Sequence, residues 1–264
     1  LQDGSIWRFK DKYPLGLAPA FAGEVTDWSI TGGWRTDREF QNGHSFSADL
    51  SARYGWDRIL YTMWDTVNPS MGPDSPTDFR ASDYTSDEMA LNADFVYSVP
   101  VEALAGPLLF NFGAEYRREG FAIGAGGVTS YTGGTWSVAD PFGFCTTEAD
   151  FSLRTLKPGA PTGQGINCAN RNDPVYKIMQ PGSNGITGLP PSVAGRNTTD
   201  SKSFYGEITA DITEAWFVDF AARYEDYQSF GNKAVWKAAT RYYLMDWLAL
   251  RGSPGTGFRA PTTG

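Results

Sequence analysis

The chain has 264 residues, with 22 Lys and Arg against 30 Asp and Glu for a formal charge of −8; that acidic surplus argues against nucleic acid as a partner, because phosphate binding needs a basic face. Aromatic residues make up 15% of it and come with 30 Gly and 16 Pro, a composition that interrupts helices, marks turns and points to an all-β chain. No apolar run reaches the roughly 18 residues of a spanning helix, a test that a β-barrel escapes because only alternate residues of its strands meet lipid.

The chain opens on LQDGSIWRFK, without an initiator Met or a signal-peptide pattern, and is expected to be an internal piece of something longer. A first strand is expected around Trp28–Arg35. The stretch 44–56 then alternates strictly, with Phe46, Ala48, Leu50, Ala52, Tyr54 and Trp56 on one face and Ser45, Ser47, Asp49, Ser51 and Arg53 on the other. That is period-2 patterning, sustained beyond the roughly five or six residues of an average soluble strand. The same pattern recurs over 88–99, 108–117, 204–212, 216–225 and 235–244, and a last strand around Trp247–Thr256 brings the count to roughly eight.

The connections alternate in length. The turns at 99–107, 212–216 and 244–247 are short; the segments 57–86 and 118–203 are long and rich in Gly, Pro and Asn, with one shorter member, 225–232, on the long side. In an up-and-down meander this puts every tight turn at one end and every long loop at the other, the asymmetry of an outer-membrane barrel. Aromatic residues bracket the apolar faces: Trp216 and Tyr224, Trp236 and Tyr242, and Tyr54 with Trp56. Rings at both ends of a lipid-facing stripe are interfacial girdles. A soluble β-sandwich or solenoid also alternates apolar and polar residues, but strand length, loop asymmetry and ring placement together favour the barrel.

The face opposite the apolar stripe carries Arg53, Asp94, Glu115, Arg117, Arg223, Glu225, Lys237, Arg241 and Arg251. A small closed barrel would bury those charges, at several kcal/mol each where they are unpaired. About eight long strands are therefore expected to form a partial arc of a wider, transmembrane antiparallel barrel.

The usual catalytic constellations are missing from the sequence. His44 is the single histidine and stands at a strand boundary, so neither a His-based metal site nor a Ser-His-Asp triad can be assembled. The glycine-rich stretches 124–127 and 252–257 lack the Lys-Ser/Thr of a phosphate loop. The carboxylate pair Asp87-Glu88 belongs to a generally acidic surface, and Asn197-Thr198-Thr199 is a sequon of a kind common by chance. No enzyme activity, cofactor or metal is expected. Cys145 and Cys168 are the only cysteines, and both lie in the segment 118–203. Two unrelated thiols are one reading; in an extracellular loop a disulfide is favoured, worth about 3 kcal/mol in the loop-entropy model.

The end of the chain carries a resemblance. LALRGS running into GFRAPT (Gly257, Phe258, Arg259, Ala260, Pro261), and the block 203–262 as a whole, resemble the barrel portion of TonB-dependent outer-membrane receptors. NPSMGPDSPTDF at 68–79 and FNFGAEYRREGF at 110–121 resemble equivalent segments of the same family. The resemblance implies a barrel of about 22 strands around an N-terminal plug domain. It also implies a scarce ligand (an iron-siderophore, cobalamin or an oligosaccharide) and uptake driven by the TonB energy-transducing complex in a Gram-negative outer membrane. Residues 1–264 match part of that barrel; the plug, the TonB-contacting segment and a final strand ending in an aromatic residue are expected to lie outside them. Within the motif, Phe258 is expected to anchor the rim and Arg259 to reach lumen or loop carboxylates, with a structural strand-end role preferred for the motif as a whole. Tyr131, Trp136, Phe142 and Phe144 give the long loop an aromatic cluster that suits ligand stacking, although loops also pack on their own rings, and packing is the favoured role. A passive porin and a soluble secreted carbohydrate-binding or hydrolytic β protein are the competing functions. With open sheet edges, the isolated piece is expected to aggregate in water.

Overall fold

Main-chain pairing, rather than the apolar pattern, sets how far the strands run. The computed structural model describes residues 9–163, 165–229 and 231–260. Eight strands form one antiparallel sheet in chain order. They are β1 Ala20–Glu39, β2 Ser45–Trp64, β3 Phe79–Val99, β4 Leu108–Gly124, β5 Gly195–Thr213, β6 Trp216–Tyr227, β7 Gly231–Met245 and β8 Leu248–Gly252. Among the described residues β1 and β8 each have a strand on one side only, so the sheet is up-and-down and open.

The strands differ from the sequence pattern at their ends. The segments expected to be loops at 57–86 and 118–203 shrink to 65–78 and 125–194, because β2 and β4 continue to Trp64 and Gly124 while β3 and β5 begin at Phe79 and Gly195. Apolar alternation fades there because positions of outward parity carry charge instead. Arg58 Nε meets Asp83 Oδ2 at 3.1 Å, and Arg196 Nη2 meets Asp87 Oδ1 at 2.5 Å. The hydrogen-bond ladder does not depend on what those side chains are. β1 likewise runs well beyond the expected Trp28–Arg35. β8 stops at Gly252, short of the expected Thr256, because Pro254 has no N–H to give the ladder. Pairing with β7 then resumes in the same register: Arg241↔Arg251 and Thr240↔Gly252 are followed by Lys237↔Gly255, with the Thr256 amide donating to Trp236 O at 2.8 Å.

The short turns lie where they were expected. Residues 214–215 join β5 to β6 and residues 246–247 join β7 to β8. Between β1 and β2 the Phe40 amide donates to His44 O at 2.9 Å, and Gly43 takes φ 78°, a left-handed conformation that favours glycine.

The chain divides into two compact units. One comprises Asp27–Asp57, Thr85–Phe121 and Arg196–Gly264 and holds most of the alternating strand sequence. Its apolar face is exposed rather than buried: Phe204 is 59% accessible, and Trp28, Leu50, Leu91, Phe112, Phe220 and Trp236 also stand open. A continuous exposed apolar face of this kind needs a partner other than water.

Two glycines of β4 shape this unit. Gly113 lies between β3 and β5 on the charged face, and a Cβ there would sit 2.6 Å from Tyr205 Cε1 and 2.8 Å from Asp94 Oδ1. Because the glycine has none, the Tyr205 hydroxyl passes over β4 and donates to Asp94 Oδ1 at 2.6 Å. Gly120, on the other face, opens the same passage for Arg196 and Asp87; its Cβ would lie 2.5 Å from Arg196 Nη2 and 2.7 Å from Asp87 Oδ1. Each of these bonds joins strands that are not neighbours in the sheet.

The other unit comprises Leu1–Thr26, Arg58–Tyr84 and Ala122–Gly195. Its largest fully buried side chains are small and mostly polar: Thr66, Val67, Asn68, Ser70, Ser130 and the disulfide-bonded Cys145. Burial of polar groups is tolerated only when they are bonded, and Asn68 meets that demand. Its Nδ2 donates to Thr129 O and Thr132 O, both at 2.8 Å, and its Oδ1 accepts from the Ser70 amide at 3.2 Å and the Ser70 hydroxyl at 2.6 Å. One amide thus ties the turn Pro69–Asp74 to the short helix α1, Val128–Tyr131.

Substituting Gly113→Val inserts carbon into the Tyr205–Asp94 passage. It should lower stability by about 1–3 kcal/mol, the range for breaking a buried hydrogen bond and displacing its partners. Gly206→Val is the control, since a Cβ at Gly206 meets nothing within 4 Å. Thermal unfolding of the protein in detergent should show a lower midpoint for the first variant only.

Candidate functional site

Strand parity sends one set of side chains to each face, and the charged set forms a continuous pattern across the first-described unit. Arg53 of β2 pairs with Glu88 of β3. Asn111 Nδ2 of β4 donates to Glu207 Oε2 of β5 at 2.9 Å. Glu115 of β4 stands between two arginines, with Arg117 Nη2 at 3.2 Å and Arg223 Nη2 of β6 at 3.6 Å. Arg223 Nε reaches Glu225 Oε1 at 2.8 Å, and the Tyr227 hydroxyl donates to Glu225 Oε2 at 2.8 Å. Lys237 Nζ of β7 lies 3.4 Å from Asp219 Oδ2.

Most charges expected on this face are therefore paired with neighbours on the same face. The pairs are partly open to solvent, so each contributes little to stability and the face stays hydrated. Asp219 is more deeply buried, at 8% accessible, and its Oδ1, like the Nε of Arg117 on the same face, has no hydrogen-bond partner. Arg241 and Arg251 depart from the pairing in another way. They face each other directly across the β7–β8 ladder, where like charges oppose pairing. Arg241 rests over the rings of Tyr243 and Phe217, at 5.0 and 5.5 Å, and neither arginine has an acidic partner among the described residues.

The loop residues singled out from the sequence only partly come together. Trp136, Phe142 and Phe144 form a row, with centroids 5.8 and 5.5 Å apart. Tyr131 lies in α1 and makes no ring contact with that row among the described residues. The Trp136 ring packs on Gly72, where a Cβ would come within 2.5 Å of it and where φ is +60°. Cys145 and Cys168 are joined in a disulfide. Beside it Asp140 accepts from the amides of Phe144 and Cys145, at 2.9 and 2.8 Å.

Sequence reasoning missed two ring clusters. In the first, Arg154 and Arg171 lie over the Phe151 ring, at 3.6 and 4.7 Å, and Tyr176 meets that ring edge-on. Asp150 caps the turn that carries Phe151; the Ser152 amide and hydroxyl both donate to it and hold its carboxyl below the usual carboxylate range. In the second, Phe21, Tyr61 and Tyr84 meet across β1, β2 and β3. Tyr61 and Tyr84 were hidden inside a segment read as loop. Ile59, Tyr61 and Met63 keep a period of two, now on the parity opposite to that of Phe46–Trp56, and that spacing was the signal that could have found Tyr61.

The terminal motif packs at the ends of β6 and β7. Phe258 lies 5.9 Å from the Tyr227 ring, and Lys233 Nζ lies over it at 5.6 Å. Arg259 has no carboxylate partner among the described residues. Pro261 lies outside the described residues, and Gly257 has open space around it.

An open up-and-down sheet with an exposed apolar face and an ion-paired charged face is the wall of a membrane-spanning β-barrel. The model of the family described as TonB dependent receptor-like, beta-barrel, matches residues 3–264. The chain belongs to that family, a family of outer-membrane receptors and transporters rather than enzymes, and its sheet is a partial arc of such a barrel. No curated protein matches the chain, and no solved structure does. No helix among the described residues is long and apolar enough to cross a membrane, which leaves crossing by strands untouched.

Lys237→Met removes the partner of a buried carboxylate and should destabilise the protein by about 1–3 kcal/mol, a discounted figure because the lysine is itself open to solvent. Adding Asp219→Asn should restore part of the loss. Thermal midpoints of the two single variants and the double variant check the coupling.

Proposed function

We propose that residues 1–264 form part of the barrel wall of an outer-membrane receptor that takes up a scarce ligand with energy from the TonB complex. The long connections 65–78 and 125–194 are its extracellular loops. A plug domain, carried elsewhere in the receptor, fills the lumen and makes the contact with TonB. The observation that carries this reading is the pairing of faces on one sheet: exposed apolar side chains such as Phe204 and Phe220 on one side, and the network centred on Glu115, Arg117 and Arg223 on the other. A hydrated face of mixed sign suits a wide lumen that holds a polar domain, and it would be costly inside a narrow, dry barrel. The apolar face speaks against a soluble secreted protein.

The test is uptake by the Gram-negative source strain with and without its TonB protein. Labelled ferric siderophore, cobalamin and oligosaccharide are each supplied, and a strain lacking this receptor is the control. Receptor-dependent accumulation of one of the three, lost without TonB, is the expected outcome. Uptake that survives loss of TonB, together with steady ion conductance of the purified protein in planar bilayers, would make it a passive pore.

A further inference from the structure

Three rings stand side by side on three neighbouring strands of the unit that comprises Leu1–Thr26, Arg58–Tyr84 and Ala122–Gly195. Phe21 of β1 and Tyr61 of β2 stack at 5.2 Å with their planes 11° apart, and Tyr84 of β3 meets Tyr61 edge-on at 5.7 Å. Gly23 eases the arrangement. A Cβ at that position would lie 3.1 Å from Tyr61 Cε1, so the bare backbone leaves room for the ring to lie against β1.

Cross-strand ring pairs stabilise sheets on their own, but these rings also line a cavity of about 340 Å³. Ser82 and the loop residues Ile186 and Thr187 contribute to its wall. That wall is fixed by main-chain bonds: the Leu189 amide donates to Ala81 O, the Gly126 amide to Leu189 O and the Gly188 amide to Ser130 O, each at 2.9 Å. The cavity is therefore pre-formed, and its volume lies within the range of small-molecule sites. Phe21 remains 47% accessible at its edge.

The lining has a definite chemistry. It offers ring surfaces, aliphatic carbon and the hydroxyls of tyrosine, serine and threonine, and among the described residues it includes no charged side chain. A highly charged ferric complex placed there would give up water without gaining a counter-charge. A pyranose ring matches the lining, since its C–H face can lie on an aromatic ring while its hydroxyl edge meets hydroxyl groups. We propose that this cavity binds a neutral sugar unit, so that the ligand of the receptor is an oligosaccharide. The assignment rests on the receptor reading given above.

The test uses the receptor purified in detergent from outer membranes and a panel of neutral trisaccharides: maltotriose, xylotriose, cellotriose and laminaritriose. Binding is followed by saturation-transfer NMR, with ferric enterobactin as the charged comparison. At least one trisaccharide should bind. Phe21→Leu, which keeps the apolar bulk and removes the ring, should weaken that binding about fivefold to tenfold, the loss expected of one aromatic partner. Phe21→Trp should retain it, and Tyr61→Phe should separate the contribution of the hydroxyl from that of the ring. The proposal is overturned if no trisaccharide in the panel binds, or if binding is the same in Phe21→Leu as in the parent. If ferric enterobactin alone binds and its uptake requires TonB, the sugar assignment fails and the receptor reading stands. If uptake proves independent of TonB while a trisaccharide binds at Phe21, the reverse holds.

Discussion

In hydrocarbon the peptide group has no water to bond to, so every amide and carbonyl that crosses a membrane must find its partner in the protein. For an outer-membrane chain with so many Gly and Pro, the solution is an antiparallel sheet whose strands pair in order. Everything else follows from that ladder. It fixes two faces with a period of two residues, gives one face to lipid and one to an aqueous interior, and requires the turns to alternate between two ends. It also explains why β3 extends for 21 residues although apolar alternation covers only part of that length. The backbone keeps pairing after the side chains have stopped meeting lipid.

The two compact units solve the problem of buried polarity differently. Around Glu115 the charged groups are left partly wet and matched to one another along neighbouring strands, so no single pair carries much free energy. Around Asn68 the groups are small, uncharged and completely buried, and each is satisfied by a main-chain or hydroxyl partner. The first arrangement tolerates rearrangement of its partners. The second does not, because any vacancy leaves a buried donor or acceptor without a bond. The disulfide between Cys145 and Cys168 adds a covalent limit to the freedom of a 125–194 segment that contains little regular structure.

Much of the sheet was legible in the sequence, for physical reasons. Residues 44–56 and 216–225 alternate because one face of them must be apolar, and such a requirement leaves a periodic trace. The tight turns were legible too, since two residues between long alternating runs admit few conformations. The strand ends were hidden because Arg58, Asp83, Asp87 and Arg196 break the alternation while the backbone goes on pairing. The site was harder to see. Trp136 looks like an exposed ligand contact in sequence, yet it lies on a glycine of another loop. Phe21, Tyr61 and Tyr84 are scattered along the chain, and only strand pairing brings them together. Spatial adjacency across three strands leaves no local pattern, whereas amphipathicity does.

Gly113 and Gly120 stand seven residues apart in β4, one on each face of the sheet. An antiparallel strand can, in principle, slide along its neighbours, with most backbone bonds re-forming after each step of two residues. β4 is denied that freedom. A slide in either direction would bring Asn111 or Glu115 beneath the bond between Tyr205 and Asp94, and Arg118 or Ala122 beneath the one between Arg196 and Asp87. Only a placement that presents bare backbone at both points at once lets both bridges close. The two glycines therefore act as alignment marks: they select one threading of β4 between β3 and β5 from a ladder of near-equivalent ones, and a barrel wall assembled strand by strand has a check on its register built into the middle of the sheet.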